Sequence, residues 1–182
     1  SLHDAFRSIL ETNVEPIYRH SYTAVVYVWD REAKNLTQIF GAPIQNPVLA
    51  PDGSALAFVF EQNVYIQNLA TMKVTQVTSD GAKNAILNGA PDWVYEEEFS
   101  FHVGIAWSPD SKSLAYLRFD ERAVPTFSMD VYGTETYPKP YVFKYPKAGE
   151  ANSVVSLHVW SNGTTTEASK GLTYEYIPRM AW

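Results

Sequence analysis

The sequence predicts an all-β fold, a partial β-propeller of about three blades of four-stranded antiparallel sheet. Aromatic residues make up 14% of the 182 residues, and strands favour aromatic and β-branched side chains. A strand–turn–strand unit also occurs twice: residues 48–58 read VLAPDGSALAF and residues 106–116 read AWSPDSKSLAY. In both copies the proline presets φ, and the residues after it suit a tight turn between two apolar runs. The only helix signal is a short segment at 95–99.

The residues around the first turn complete one blade. Strands are predicted at 44–50, 54–60, 63–69 and 73–79. Four short antiparallel strands joined by tight turns are the repeating unit of a propeller. The preceding segments, 22–30 and 36–40, are predicted to form the outer half of an earlier blade.

The second turn begins a third blade. Its strands are predicted at 102–108, 113–119, 154–160 and 164–168. A Pro- and Tyr-rich insertion at 120–150 separates the second of these strands from the third. A β-sandwich also spaces its strands by about 8–12 residues, but the repeated turn with equivalent flanks favours the propeller.

Both ends of the chain contain weaker copies of the repeat. Residues 3–10 resemble a degenerate strand–turn–strand unit, and residues 178–182, PRMAW, resemble the strand that precedes such a turn. We therefore expect the chain to be a fragment of a larger propeller.

Composition argues against several classes of function. The net charge of −6 and the lack of a basic run argue against a nucleic-acid partner. The absence of cysteine excludes disulfides and thiolate metal sites. No carboxylates are spaced as in a calcium loop, so no metal site is expected. No stretch reaches the roughly 20 apolar residues that span a bilayer, and no signal-peptide pattern is visible.

The acidic segment at 92–99, which reads DWVYEEEF, is the most unusual motif. Three consecutive glutamates usually form a solvated face, but here aromatic and apolar residues enclose them. A short helical turn lets neighbouring carboxylates converge, whereas strand residues alternate between faces. Partly buried adjacent carboxylates repel unless a cation compensates for their charge. The segment therefore predicts a binding site for an ammonium group.

A second segment, YRHSYTA at 18–24, contains Arg19, His20 and Ser21. An isolated arginine is ordinarily a surface or ion-pair residue. His20 and Ser21 are neighbours, and neighbours in a strand face apart, so they are not expected to act as base and nucleophile. The G-x-S-x-G nucleophile motif is missing from the sequence. No catalytic residue is predicted in this chain.

These two segments, with AWSPDSKSLAYLRFDE at 106–121 and YPKAG at 145–149, resemble the dipeptidyl peptidase IV family of the prolyl oligopeptidase superfamily. The resemblance covers nearly the whole chain and concerns the N-terminal β-propeller of that family. It implies an eight-bladed propeller, of which residues 1–182 are a fragment, followed by a C-terminal α/β-hydrolase domain with a Ser-Asp-His triad. The full-length serine exopeptidase is then expected to release N-terminal X-Pro or X-Ala dipeptides.

The resemblance also implies roles for particular residues. Glu97 and Glu98 are expected to hold the free α-ammonium of the substrate, and Arg19 is expected to contact a carbonyl of the bound dipeptide. No ligand contact is implied for Glu96, the remaining acid, which is expected to be either structural or solvated. This chain by itself is expected to be inactive, because it lacks the triad.

The resemblance suggests partners and a location as well. The expected partners are peptides with a free N-terminus and the protein's own hydrolase domain; a homodimer stays open. No cofactor is implied, and the location is expected to be extracytoplasmic. The alternative function is an interaction module of a catalytically inactive dipeptidyl peptidase-like protein.

Overall fold

The structure, a computed structural model, describes residues 6–182. Within this range it contains thirteen strands and one helix: β1 Arg7–Pro16, β2 Tyr22–Asp30, β3 Asn35–Leu49, β4 Ala55–Phe60, β5 Asn63–Asn68, β6 Val74–Gln76, β7 Ile86–Asn88, α1 Trp93–Phe99, β8 Ile105–Trp107, β9 Ser113–Asp120, β10 Thr126–Val131, β11 Lys139–Lys144, β12 Val154–Ser161 and β13 Thr164–Glu167. All strand pairings are antiparallel. The prediction of an all-β, partial β-propeller fold is confirmed.

The first two blades share one six-stranded sheet in the order β1–β2–β3–β4–β5–β6. The prediction of separate strands at 36–40 and 44–50 was wrong, because β3 runs through both segments. Its first part pairs with β2 and its second part with β4. Positive φ angles of 52° at Phe40 and 53° at Asn46 accompany the register shifts that let β3 pass from one blade to the next.

The third blade has the strand order β13–β12–β9, and its inner strand is divided into two pieces. Both β7 and β8 pair with β9, β7 opposite residues 118–120 and β8 opposite residues 114–116. The chain leaves the sheet between these pieces, and this excursion contains α1. The predicted strand at 102–108 is therefore shorter in the structure.

Two terminal predictions have different outcomes. Residues 3–5 of the degenerate copy lie outside the described range, and residues 7–10 belong to β1. Residues 178–182, which resemble the strand before such a turn, are not paired as a strand within residues 6–182. Instead, the Trp182 indole Nε1 donates a 2.9 Å hydrogen bond to the Ala106 carbonyl on β8.

The long insertion contains regular structure that the sequence analysis did not predict. Strands β10 and β11 form a two-stranded hairpin in which Phe127 lies opposite Phe143. All of β10 and most of β11 remain exposed, including Met129 and Val131. The alternation of polar and apolar residues in β10, which reads TFSMDV, was a signal that could have predicted this strand.

The main core lies between the second and third blades. Its buried residues come from β4, β5, β8, β9 and the neighbouring turns: Ala50, Ala55, Ala57, Val59, Val64, Ile66, Ala90, Ile105, Trp107, Leu114 and Tyr116. The Trp107 indole Nε1 also donates a 3.0 Å hydrogen bond to the Val48 carbonyl, which ties the two copies of the repeat together. Blade-to-blade packing therefore fixes the position of β8, from which the excursion returns.

Two glycines close the base of the excursion. The Gly104 amide donates a 3.0 Å hydrogen bond to the Gly89 carbonyl. Gly89 has a φ of +73°, and a Cβ there would lie 2.8 Å from side-chain carbons of Ile105 and Val64. Only glycine satisfies both the backbone angle and the space.

Replacing Gly89 with alanine is expected to lower the free energy of unfolding by about 2–4 kcal/mol, because the substitution adds backbone strain and a core overlap. Urea unfolding of the full-length protein measures this loss. Gly133→Ala is the matched control, since a Cβ there meets nothing within 4 Å. Equal stability of the two variants would show that the base of the excursion tolerates a side chain.

Candidate functional site

Helix α1 begins at Trp93, two residues before the predicted segment, because Asp92 caps it. The Asp92 Oδ1 accepts a 3.0 Å hydrogen bond from the Tyr95 amide, the ordinary role of an N-cap carboxylate. The helix ends at Phe99 and is capped by Ser100, whose left-handed backbone has a φ of 50° and whose amide donates to the Tyr95 carbonyl. These two caps limit the acidic segment to a single short helix.

The buried side of α1 fastens it to the third blade. The Tyr95 ring is buried and packs edge-on against Phe119 of β9, with ring centroids 4.8 Å apart. The Tyr95 hydroxyl accepts a 2.7 Å hydrogen bond from the Ile177 amide, and burial raises the pKa of this hydroxyl to about 12. Asp92 Oδ2 accepts a 2.5 Å hydrogen bond from Ser153 Oγ. The helix is therefore held by both apolar and polar contacts.

The turn between β1 and β2, residues 17–21, faces α1. The Ile17 and Tyr18 amides donate to the Ser21 carbonyl at 2.8 and 3.3 Å, which closes the turn. The hairpin supports its first half: the Tyr141 hydroxyl donates a 3.2 Å bond to the Ile17 carbonyl, and the Tyr18 ring lies 6.2 Å from that of Phe143. Burial raises the pKa of the Tyr18 hydroxyl.

Glu96 connects the second half of the turn to α1. It is only 1% exposed, and its Oε1 accepts hydrogen bonds from the His20 amide at 2.5 Å and the Ser21 amide at 2.8 Å. Of the two roles that the sequence left open for Glu96, structural or solvated, the structure shows the structural one.

Arg19 and Glu97 meet at the surface above this contact. The Arg19 Nε lies 2.9 Å from Oε2 and 3.2 Å from Oε1 of Glu97. The Arg19 side chain is 70% exposed and that of Glu97 is 17% exposed, so the guanidinium faces solvent and the carboxylate is partly enclosed. The structure thus brings together two of the three predicted site residues.

The third predicted residue, Glu98, is exposed and follows Glu97 on the helix. Consecutive helical residues point about 100° apart, so the two side chains leave α1 in different directions. Glu98 lines an open cleft of about 450 Å³ together with Trp93, Tyr145 and Lys147. It has no hydrogen-bonded or ion-pair partner among residues 6–182. Its negative charge is therefore available to a cationic ligand.

Beneath the turn lies a cavity that sequence reasoning missed. Its volume is about 280 Å³, and its walls include Tyr18, Ser21, Phe143 and Glu121. Glu121 is buried, and desolvation, with a smaller contribution from the nearby Asp92 charge, raises the pKa of its carboxyl to about 7. Glu121 ends the quoted segment at 106–121, but nothing in the local sequence indicates that its side chain is buried.

The described residues contain neither a group of side chains placed for a metal ion nor a helix long enough to cross a membrane. Among residues 6–182, no group of three or more histidine or acidic side chains is placed to hold a metal ion. Helix α1, the only helix of this range, has seven residues and is too short to traverse a bilayer.

Comparison with known families identifies the chain's relatives. The family model described as the dipeptidyl peptidase IV (DPP IV) N-terminal region matches residues 3–182. The chain belongs to this family. The membership predicted from the sequence is therefore confirmed.

Relatives of the DPP IV N-terminal region family share both sequence and fold with the chain. Human prolyl endopeptidase FAP is 37% identical over 174 residues, which cover 94% of this chain and 23% of that protein. Dipeptidyl peptidase 4 of Felis catus is 35% identical over 178 residues, covering 95% of this chain and 23% of that protein.

A solved structure extends the comparison to three dimensions. The crystal structure of Porphyromonas gingivalis dipeptidyl peptidase 4 is 43% identical to this chain and superposes with a TM-score of 0.88. The match covers 94% of this chain and 25% of that one. The chain therefore spans about a quarter of the length of these relatives.

The buried Glu121 generates a prediction on pH. Because its folded-state pKa of about 7 lies above the ordinary value of 4.5, the folded protein favours the protonated carboxyl. The contribution of Glu121 to stability is therefore most favourable below pH 4.5, falls as the pH rises from 4.5 to about 7, and levels off above pH 7. At 1.36 kcal/mol per pKa unit, the loss is on the order of 3 kcal/mol.

Glu121→Gln is expected to remove this pH dependence. Free energies of unfolding for wild type and variant, measured by urea between pH 4.5 and 8, should diverge as the pH rises. Glu32→Gln, at an exposed turn, serves as the control and should follow wild type. Parallel curves for wild type and Glu121→Gln would contradict the raised pKa.

Proposed function

We propose that this chain is the substrate-recognition part of a serine exopeptidase that releases N-terminal X-Pro or X-Ala dipeptides. The observation that carries the proposal is the Arg19–Glu97 ion pair next to the exposed Glu98, on a helix anchored in a propeller blade. Membership of the DPP IV N-terminal region family supports it.

In this proposal Glu97 and Glu98 clamp the α-ammonium of the peptide substrate. An ammonium group has three N–H donors, and charge-assisted hydrogen bonds to two carboxylates are strong and directional. Because the two side chains leave the helix about 100° apart, an ammonium group that donates to both would have to lie in the angle between them. Arg19, held by Glu97 at its Nε, would use other N–H groups to bind a carbonyl of the dipeptide.

The clamp would set the length of the peptide that is released. It fixes the free amine, and a nucleophile at a set distance then reaches only the bond after the second residue. We assign the nucleophile to a C-terminal α/β-hydrolase domain beyond this fragment of the N-terminal propeller, and we expect the isolated fragment to be inactive. The 23–25% coverage of the relatives leaves ample length for such a domain. Family membership also favours an extracytoplasmic location.

The exposed hairpin gives some support to a homodimer. Met129, Val131, Tyr132 and Tyr137 are all exposed on or next to β10–β11, and exposed apolar clusters mark interaction sites. The same surface would also suit the alternative function, an interaction module of an inactive relative. The presence of Arg19, Glu97 and Glu98 together favours an active parent enzyme, because an interaction module has no need of an ammonium clamp.

The clamp is tested by Glu97→Gln and Glu98→Gln in the full-length protein. Each substitution removes a charged partner of the enclosed ammonium, so kcat/KM for an X-Pro p-nitroanilide is expected to fall by about 10²- to 10⁴-fold. Glu32→Gln is the matched control and should keep wild-type activity. Wild-type kcat/KM in both clamp variants would refute the assignment.

Recognition of an ammonium group also predicts a pH profile. The kcat/KM should fall about tenfold per pH unit above the pKa of the substrate amine, which is about 8, because the neutral amine loses its charge. A substrate with a fluorinated N-terminal residue, whose amine has a lower pKa, should show the same fall at lower pH. A midpoint that does not move between the two substrates would count against ammonium binding.

A further inference from the structure

Glu96 is the one acid of the motif that the proposed clamp does not use, although it is the most deeply buried of the three. We propose that Glu96 is a positioning residue, whose carboxylate holds the turn at 17–21 on α1 and thereby places Arg19 against Glu97. This inference rests on the proposed function, since it assigns a role to Arg19 in binding substrate.

The hydrogen bonds of Glu96 reach the residues next to Arg19. One oxygen, Oε1, accepts from the backbone amides of His20 and Ser21. Glu97, the next residue on the helix, pairs with Arg19, the residue before His20. Glu96 thus binds His20 and Ser21 through their backbone amides, and Glu97 binds Arg19 through its side chain. Two consecutive acids on α1 therefore hold three consecutive residues of the turn.

The ion pair between Arg19 and Glu97 is too weak by itself to fix the position of the Arg19 side chain. Exposed ion pairs contribute little free energy, because both side chains lose freedom and water screens the charges. The Arg19 side chain is 70% exposed, so a mobile turn would leave it in many positions. Tyr141 and Phe143 support the first half of the turn, and bonds to the Ser21 carbonyl close it. Glu96 fastens the backbone that follows Arg19, at His20 and Ser21, to α1.

The surroundings of Glu96 make its contact with the turn unfavourable for stability, which indicates a role in positioning. Its Oε2 is buried without a hydrogen-bond partner among the described residues, and so is the neighbouring Ser21 Oγ. An unsatisfied buried carboxylate oxygen is unfavourable for folding, so stability alone does not account for an acid at this place. Charge-assisted hydrogen bonds to two successive amides do fix the path of a backbone more firmly than neutral ones.

A double-mutant cycle with Arg19 tests the inference. Glu96→Met keeps the size of the side chain but removes both acceptors. In the full-length protein it is expected to lower kcat/KM for an X-Pro p-nitroanilide by about 10- to 100-fold, mainly through KM. Glu96→Gln keeps an acceptor oxygen and should restore kcat/KM to within about tenfold of wild type.

Each substitution is then repeated in an Arg19→Ala background. If Glu96 acts through Arg19, replacing Glu96 in the Arg19→Ala background should lower kcat/KM by less than about threefold, because the side chain that Glu96 positions is absent. A purely structural role would give the same loss in both backgrounds, and that result would overturn the proposal. Should Glu96→Met fail to fold, the Glu96→Gln cycle decides. A loss of kcat/KM that is present with Arg19 and disappears in the Arg19→Ala background supports the proposal, and no loss, or the same loss in both backgrounds, overturns it.

The Glu97→Gln and Glu98→Gln variants separate this inference from the proposed function. If both lose activity while the Glu96 effect persists without Arg19, the clamp stands and only the positioning role falls. If both keep wild-type kcat/KM, the clamp fails and the positioning role fails with it. Thermal melting of every variant shows whether the compared proteins are folded.

Discussion

The burial of Tyr95 against the third blade is the contact on which the candidate site depends. Helix α1 has seven residues, and a helix this short is not stable by itself in water. Tyr95 fixes it through the edge-on contact with Phe119 and the hydrogen bond from the Ile177 amide. Once Tyr95 is placed, the neighbouring glutamates have only a narrow choice of direction, and each meets a different environment.

The site is built on irregular backbone that a regular sheet holds in place. Strand β9 continues uninterrupted while its inner neighbour is divided into β7 and β8. The third blade therefore keeps its hydrogen-bonded strands, although the chain leaves the sheet between β7 and β8 to form the segment that contains α1. This arrangement explains why acidic residues are tolerated close to a hydrophobic core. The main apolar cluster lies between the second and third blades, and a second cluster packs Tyr95 of α1 against β9 and β12.

Sequence periodicity predicted the blade architecture well, because each blade is made of short strands and local turns. The Pro-Asp turns, the four-strand unit and the helical turn at 95–99 were all recognised from neighbouring residues. The errors concern pairing between distant segments. The continuity of β3 depends on bulges that suit two different partners, and the hairpin β10–β11 depends on pairing across the Pro-rich insertion. No short window of sequence contains that information.

The sequence by itself determined the fold class and an acidic site for a cation in the segment at 92–99. Its motifs also carried the resemblance that implied the family and the roles of Arg19, Glu97 and Glu98. Residue types, local spacing and motif order are properties of the chain. Only the tertiary structure decided that Glu96 is buried under the turn at 17–21 and that Arg19 pairs with Glu97, 78 residues away along the chain. Three adjacent glutamates are chemically identical, so their roles are set by the dielectric, the donors and the solvent that folding places around each one.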